Sequence, residues 1–304
     1  MKADLHVEML GLSLRNPFMV ASGVLGVSSK LLARAYEAGA GAIVSKSIGL
    51  EEREGYTGPN IVVDKCWVIN AMGLPNPGVE QALQELIEAR NMGVQLIVSV
   101  YGFSVQEYVE VSRKVEEAGF NVVELNLSCP NVKGTGEEFG HNPETLSEVV
   151  ASVKNRFKGH VIVKLPPDAG VIEKLGKAAE EAGADAVTAV NTIKGMAIDV
   201  KARRPVLSSA IGGVSGPALK PIALRCVYEL HRRLKIPVIG CGGVQSWRDA
   251  VEFFLAGATA VQIGTALMNR DFKIFHQLES GIKKYMKSNG FKSVAELVGL
   301  ASKT

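Results

Sequence analysis

Four stretches of the chain repeat one phrase. Glu37-Ala38-Gly39-Ala40 leads into Gly41-Ala42-Ile43-Val44, and Glu117-Ala118-Gly119-Phe120 leads into Asn121-Val122-Val123-Glu124-Leu125. Glu181-Ala182-Gly183-Ala184 leads into Asp185-Ala186-Val187, and Leu255-Ala256-Gly257-Ala258 into Thr259-Ala260-Val261-Gln262-Ile263. Each reads as a helix end, a glycine in the left-handed position that closes it, and a short strand. The strands are near-continuous apolar runs, as parallel strands covered on both faces must be. Runs of this kind fall at 17–22, 42–46, 95–100, 121–126, 160–165, 185–190, 236–241 and 259–264. Helical patterns separate most of them, among them 105–118, 143–157 and 172–182.

Alternating strands and helices predict a parallel sheet. Eight such units in 304 residues predict an α/β fold, a closed (β/α)8 TIM barrel forming a single domain over residues 1–304. An open doubly wound sheet fits less well, because no G-x-G-x-x-G follows the first strand. Residues 47–78 and 192–216 are too long for simple strand-to-helix loops. Both follow strand C-termini, so they are expected to be insertions over the C-terminal mouth, with small antiparallel strands.

Composition narrows the function classes. Hydrophobic residues make up 47% and charged residues 21%, a globular balance, and the net charge of +3 is too mild to indicate nucleic acid. No apolar run reaches the ~18–20 residues of a membrane span, and Met1 to Leu14 has no apolar core of a signal peptide. The cysteines, Cys66, Cys129, Cys226 and Cys241, lack C-x-x-C spacing, so a reducing cytoplasm is expected and a disulfide framework is not. The five histidines form no metal-binding pattern, and no metal is expected. The 32 glycines exceed the usual ~7% share and call for a structural reason.

The strand ends carry the chemistry. In order they are Ser22-Gly23, Lys46-Ser47, Ser99, Asn126 with Cys129, Lys164, Asn191-Thr192, Gly242-Gly243 and Gly264-Thr265. Strand ends leaving for solvent are often polar, but two lysines and several amides ending apolar runs point to one shared pocket at the barrel mouth. The glycines after strands 7 and 8 stand where barrels commonly hold phosphate, since glycine lets backbone N–H groups approach the oxygens. Lys164, beside apolar neighbours, needs an anionic partner or a shifted pKa; it suits either a Schiff base or the stabilisation of negative charge. Cys129 lies just past strand 4, before Gly134, Gly136 and Gly140, which would make that segment mobile; its thiol suits a nucleophile or a general base. Cys241 ends strand 7 and reads as a buried thiol without a catalytic role.

Together these segments resemble the class 1 dihydroorotate dehydrogenases, the flavin enzymes of pyrimidine synthesis. The matching stretches are NPFMVASG (16–23), SKSI (45–48), INAMGLPNPG (69–78), ELNLSCPNVKG (124–134), VKL (163–165), VNT (190–192), GGVSGPALKP (212–221), GCGGV (240–244) and IGTAL (263–267), nearly the whole chain. The resemblance implies one FMN per chain, its phosphate on the backbone of Gly216, Gly242, Gly243, Gly264 and Thr265. The flavin ring would lie near Ala21, Ser22, Lys46, Ser47, Asn126, Lys164 and Val190, with Lys164 stabilising negative charge on reduced flavin. Dihydroorotate would be held by Lys46, by Asn70, Ala71, Met72, Gly73 and Leu74, and by Asn126, Asn131, Asn191 and Thr192. Cys129 would remove the C5 proton as C6 delivers hydride to flavin N5.

Cysteine at 129 and the run Asn131-Val132-Lys133-Gly134 are similar to class 1B catalytic subunits. That likeness implies a homodimer core with an electron-transfer subunit carrying FAD and [2Fe-2S], a heterotetramer passing electrons to NAD. One departure is Ser99-Val100-Tyr101, where the family commonly has an asparagine contacting flavin. Other readings are a class 1A-like enzyme with fumarate or another acceptor, a dihydropyrimidine dehydrogenase-like reductase, a Schiff-base aldolase on Lys164, and a non-catalytic barrel.

Overall fold

The computed structural model describes residues 3–127, 140–168 and 170–302. Eight parallel strands close into a barrel: β1 (Phe18–Val20), β2 (Ala42–Val44), β3 (Leu96–Val100), β4 (Val122–Asn126), β5 (His160–Leu165), β6 (Ala186–Ala189), β7 (Val238–Cys241) and β8 (Ala258–Ile263). Each pairs with its neighbours in chain order, and β8 returns to β1 with Val261 opposite Phe18 and Ile263 opposite Val20. All eight apolar runs become these strands, so the open sheet is excluded.

Among the described residues, longer helices alternate with the strands, α1 (Ser29–Glu37), α2 (Val79–Asn91), α3 (Val105–Glu117), α4 (Pro143–Lys154), α5 (Ile172–Glu181), α6 (Lys220–Arg233), α7 (Trp247–Ala256) and α8 (Lys273–Asn289), with a five-residue helix, Ala266–Arg270, just after β8. Local chemistry sets their ends. Ser104 caps α3 by accepting from the Glu107 N–H, Asn142 caps α4 ahead of Pro143, and Ser246 caps α7 through the Asp249 N–H. Gly257 ends α7 at φ +119, and a side chain there would strike the His231 ring, so both conformation and space require glycine.

Two apolar layers result. The larger lies between sheet and helices. The smaller fills the barrel interior with Met19, Val44, Ile97, Val122, Ile162 and Ile239. A hairpin that the periodicity did not reveal, Val7–Met9 with Leu12–Leu14, plugs the end away from the mouth by adding Met9 and Leu14 to that interior layer. Its two-residue turn, Leu10-Gly11, has positive φ at both positions (+54 and +68).

Both insertions contain the expected antiparallel strands. They also pair with each other, in one four-stranded sheet ordered Ile193–Gly195, Gly212–Ser215, Val68–Asn70, Ile61–Val63. Ile69, Ala71 and Leu207 form its small apolar core over the mouth. No helix among the described residues is long and apolar enough to cross a membrane.

The plug makes a stability prediction. Leu14 is fully buried, so Leu14→Ala is expected to destabilise the fold by about 2–5 kcal/mol. Val200, 82% exposed, should tolerate alanine within about 0.5 kcal/mol. Denaturation midpoints of the two variants check this; equal midpoints would remove the plug's role.

Candidate active site

The strand ends surround one cavity of about 450 Å³. Its walls include Ala21, Ser22, Lys46 and Ser47 from the ends of β1 and β2, and Asn126, Lys164, Val190, Asn191 and Thr192 from β4 to β6. The far side holds Gly216, Gly242, Gly243, Gly264 and Thr265, and the insertion sheet lowers Asn70, Met72, Gly73 and Leu74 into it. The expected pocket residues therefore meet, with three exceptions. Ala71, just past the strand Val68–Asn70, is buried in the insertion core with Ile69 and Leu207 and does not line the cavity, whereas its neighbours Asn70 and Met72 do. Cys129 and Asn131 lie outside the described residues, as do Gly134 and Gly136 of the expected mobile segment.

One end of the cavity is backbone. Gly243 has φ +77, and a Cβ there would lie 2.7 Å from Lys220 Cβ and 3.0 Å from the Gly216 carbonyl oxygen. The segments carrying Gly216 and Gly243 are thus packed against each other with no room for side chains. A Cβ on Gly264 would meet nothing nearer than 3.6 Å, so its open side is cavity. The nearby cation, Lys220, is committed elsewhere: its Nζ lies 2.6 Å from Asp249 and 2.9 Å from Glu252. Burial opposes its charge, but these carboxylates outweigh it and raise its pKa. Asp249 also accepts from Gln245 N and Ser246 Oγ, which fixes the loop after β7. A cavity wall of glycine backbone, which a ligand's oxygens can approach closely, suits a phosphate.

The middle is a set of ordered polar groups. Asn126 Nδ2 donates to Ser47 Oγ at 3.0 Å, and Asn191 Nδ2 donates to Asn126 Oδ1 at 3.2 Å, so each amide has a defined orientation. The hydroxyls of Ser47 and Ser99 are 2.8 Å apart, and Ser22 Oγ is 3.3 Å from Ser47 Oγ. Ser99 is fully buried and acts from behind, through Ser47, rather than on the cavity itself. Arg53 Nε donates to the Gly73 carbonyl at 2.6 Å and holds the insertion turn in place.

The floor is charged. Lys164 Nζ donates to Gln262 Oε1 at 2.9 Å and stands 3.6 Å from Glu124 Oε1. Desolvation alone would lower the Lys164 pKa; Cys241 and Glu124 reverse this and hold the ammonium above the ordinary lysine range. Burial pushes the Cys241 thiol up, only partly opposed by Lys164. Cys241 lines the cavity as a protonated thiol at neutral pH, and Cys226, on α6, is pushed up to about 12 by burial. Sequence reasoning missed Glu124, whose only signal is a charge inside the apolar run of β4. It also missed the apolar lip of Val24, Ile61 and Met268, which reads in sequence as ordinary loop residues.

A family model described as dihydroorotate dehydrogenase matches residues 4–286. The chain is 49% identical over 300 residues to a protein of Pyrococcus furiosus, 50% over 302 to one of Pyrococcus horikoshii and 43% over 301 to one of Thermoplasma volcanium. Each match covers 99% of both chains, and all three relatives carry the name dihydroorotate dehydrogenase B (NAD(+)), catalytic subunit.

The thiol environments predict a labelling order. At pH 8 iodoacetamide should modify exposed Cys66 well before Cys241 or Cys226, because a raised pKa leaves less thiolate. Cys241 labelling should grow as pH rises past the ordinary thiol range. Peptide mass mapping reads both; early Cys241 labelling at pH 8 contradicts the assignment.

Proposed function

The chain belongs to the dihydroorotate dehydrogenase family, and from that premise we propose that it oxidises dihydroorotate to orotate in pyrimidine biosynthesis, as a class 1B catalytic subunit with FMN in the cavity. The carrying observation is the set of groups that line that cavity together: glycine backbone, oriented amides and a buried ammonium.

The glycine wall fits a phosphate. Backbone N–H groups at Gly216, Gly242, Gly243, Gly264 and Thr265 would hold it, with Lys220 fixing the loop rather than touching the ligand. Ala21, Ser22, Lys46, Ser47, Asn126, Lys164 and Val190 would enclose the ring. Bound there, FMN supplies the acceptor for the hydride that leaves C6 of the substrate.

The protein's own groups do the rest. Lys46 pairs with the substrate carboxylate. Asn70, Asn126, Asn131, Asn191 and Thr192 present amide and hydroxyl groups to a ring whose edge alternates donors and acceptors. Main chain from Ala71 through Leu74 closes over it, so Ala71 contributes backbone only. Cys129 removes the C5 proton as the C5–C6 double bond forms, and Lys164 offsets the negative charge that arrives on the cavity floor. A lysine held above its ordinary pKa is the wrong form for Schiff-base attack, which argues against an aldolase.

The relatives' naming as catalytic subunits supports a second chain. We assign it FAD and a [2Fe-2S] cluster, bound to a homodimer of this chain in a heterotetramer that passes electrons to NAD. The catalytic unit is read as one barrel domain over 1–304. Cysteines Cys66, Cys226 and Cys241, all free, suit a cytoplasmic enzyme.

Purification of the native complex tests the assignment. It should be yellow and yield FMN, FAD and iron with a co-purifying chain; a colourless protein that takes up no FMN would refute the cofactor reading. Cys129→Ala should lower dihydroorotate oxidation by roughly 10²–10⁴-fold with FMN content unchanged. Full turnover in that variant would refute the base.

A further inference from the structure

Glu124 is fully buried inside the barrel and has no place in the mechanism above. Its Oε2 accepts from Thr188 Oγ1 at 2.8 Å and from Gln262 Nε2 at 2.5 Å. Its Oε1 is buried without a hydrogen-bond partner and faces Lys164 Nζ at 3.6 Å. A buried carboxylate with a lone oxygen is costly unless a charge stands opposite.

Gln262 bridges the pair. Its Oε1 takes a hydrogen bond from Lys164, and its Nε2 gives one to Glu124. An ammonium has three donors. Gln262 takes one, and Glu124 neutralises the charge without taking a second in a direct bond. Lys164 thereby stays ionised in a buried site while still lining the cavity.

We infer that Glu124 is a positioning residue: acting across the 3.6 Å gap and through Gln262, it keeps Lys164 protonated and aimed at the cavity floor, so that negative charge arriving there meets a fixed cation. This rests on the reading of the cavity as an FMN site. The titratable groups that face Lys164 are Glu124 from β4 and Cys241 from β7; Thr188 and Gln262 do not titrate, and Lys46 lines the cavity from the end of β2. Without Glu124, Cys241 alone opposes burial, and Lys164 loses its proton at lower pH.

The test compares the full-length chain with Glu124→Gln, which keeps the shape and removes the charge. Both keep Cys241, so that the Glu124 charge is the one difference between them. Reductive methylation with formaldehyde, pulsed from pH 7 to 11, reports the neutral amine of Lys164 by peptide mass, and the midpoint pH is independent of access. The parent's Lys164 midpoint should lie above that of exposed lysines, ~10.4. In Glu124→Gln it should fall by about one pH unit or more, and an alkaline decline in kcat/KM should appear that the parent lacks. An unchanged midpoint, or a flat pH profile, overturns the role. If the variant does not fold, the parent decides alone: a Lys164 midpoint below that of exposed lysines overturns it. Flavin absorbance is recorded on the same samples, so protein that binds no FMN refutes the cofactor reading while the methylation profile still judges Glu124.

Discussion

Hydrogen bonding between β8 and β1 closes the sheet, and the site depends on that closure. Parallel strands in a ring must all point the same way, so eight C-termini meet at one mouth whatever their sequence distance. Residues as far apart as Ser22 and Thr265 become neighbours for this reason, and the polar ends of otherwise apolar strands share one cavity. The Leu14 hairpin plugs the interior from below and the paired insertions lie over the mouth, so Lys164 and Glu124 are buried and their charges act strongly on each other.

The cavity wall differs from side to side. On one side the wall is glycine backbone, and Lys220 braces the loop after β7 through Asp249 rather than entering the cavity. The middle uses neutral amides and hydroxyls that satisfy each other while waiting for a ring. A full charge appears only at the floor, where Lys164 comes with its own carboxylate one strand away.

Much of this was legible in sequence because it is local. The glycine after each helix and the apolar run behind it mark strand positions without reference to the rest of the chain, and a polar residue ending such a run marks the mouth. What was not legible is relational. The hairpin at Leu10-Gly11 has strands of three residues each, too short for a period. The pairing of Val68–Asn70 with Gly212–Ser215 joins segments far apart in sequence, and no pattern in either names the other. Glu124 looked like a charge on a strand; only the register that sets Lys164 beside Thr188 and brings Gln262 across from β8 gives it a partner. The Ala71 side chain packs with Ile69 and Leu207 rather than on the cavity, because a motif names a stretch while an extended segment presents alternate residues.

The departure at Ser99 follows from the same packing. A serine is too short to reach the cavity from β3, and its hydroxyl instead lies 2.8 Å from that of Ser47. Ser47 is in turn the acceptor for Asn126, and the Ser99 N–H is bonded to Ser45 Oγ, which ties β3 to the end of β2. An amide at 99 would have to displace this set of hydroxyls to make a direct contact. The Ser47–Ser99 pair therefore orients Asn126 from behind, and Ser99 itself stays off the cavity wall.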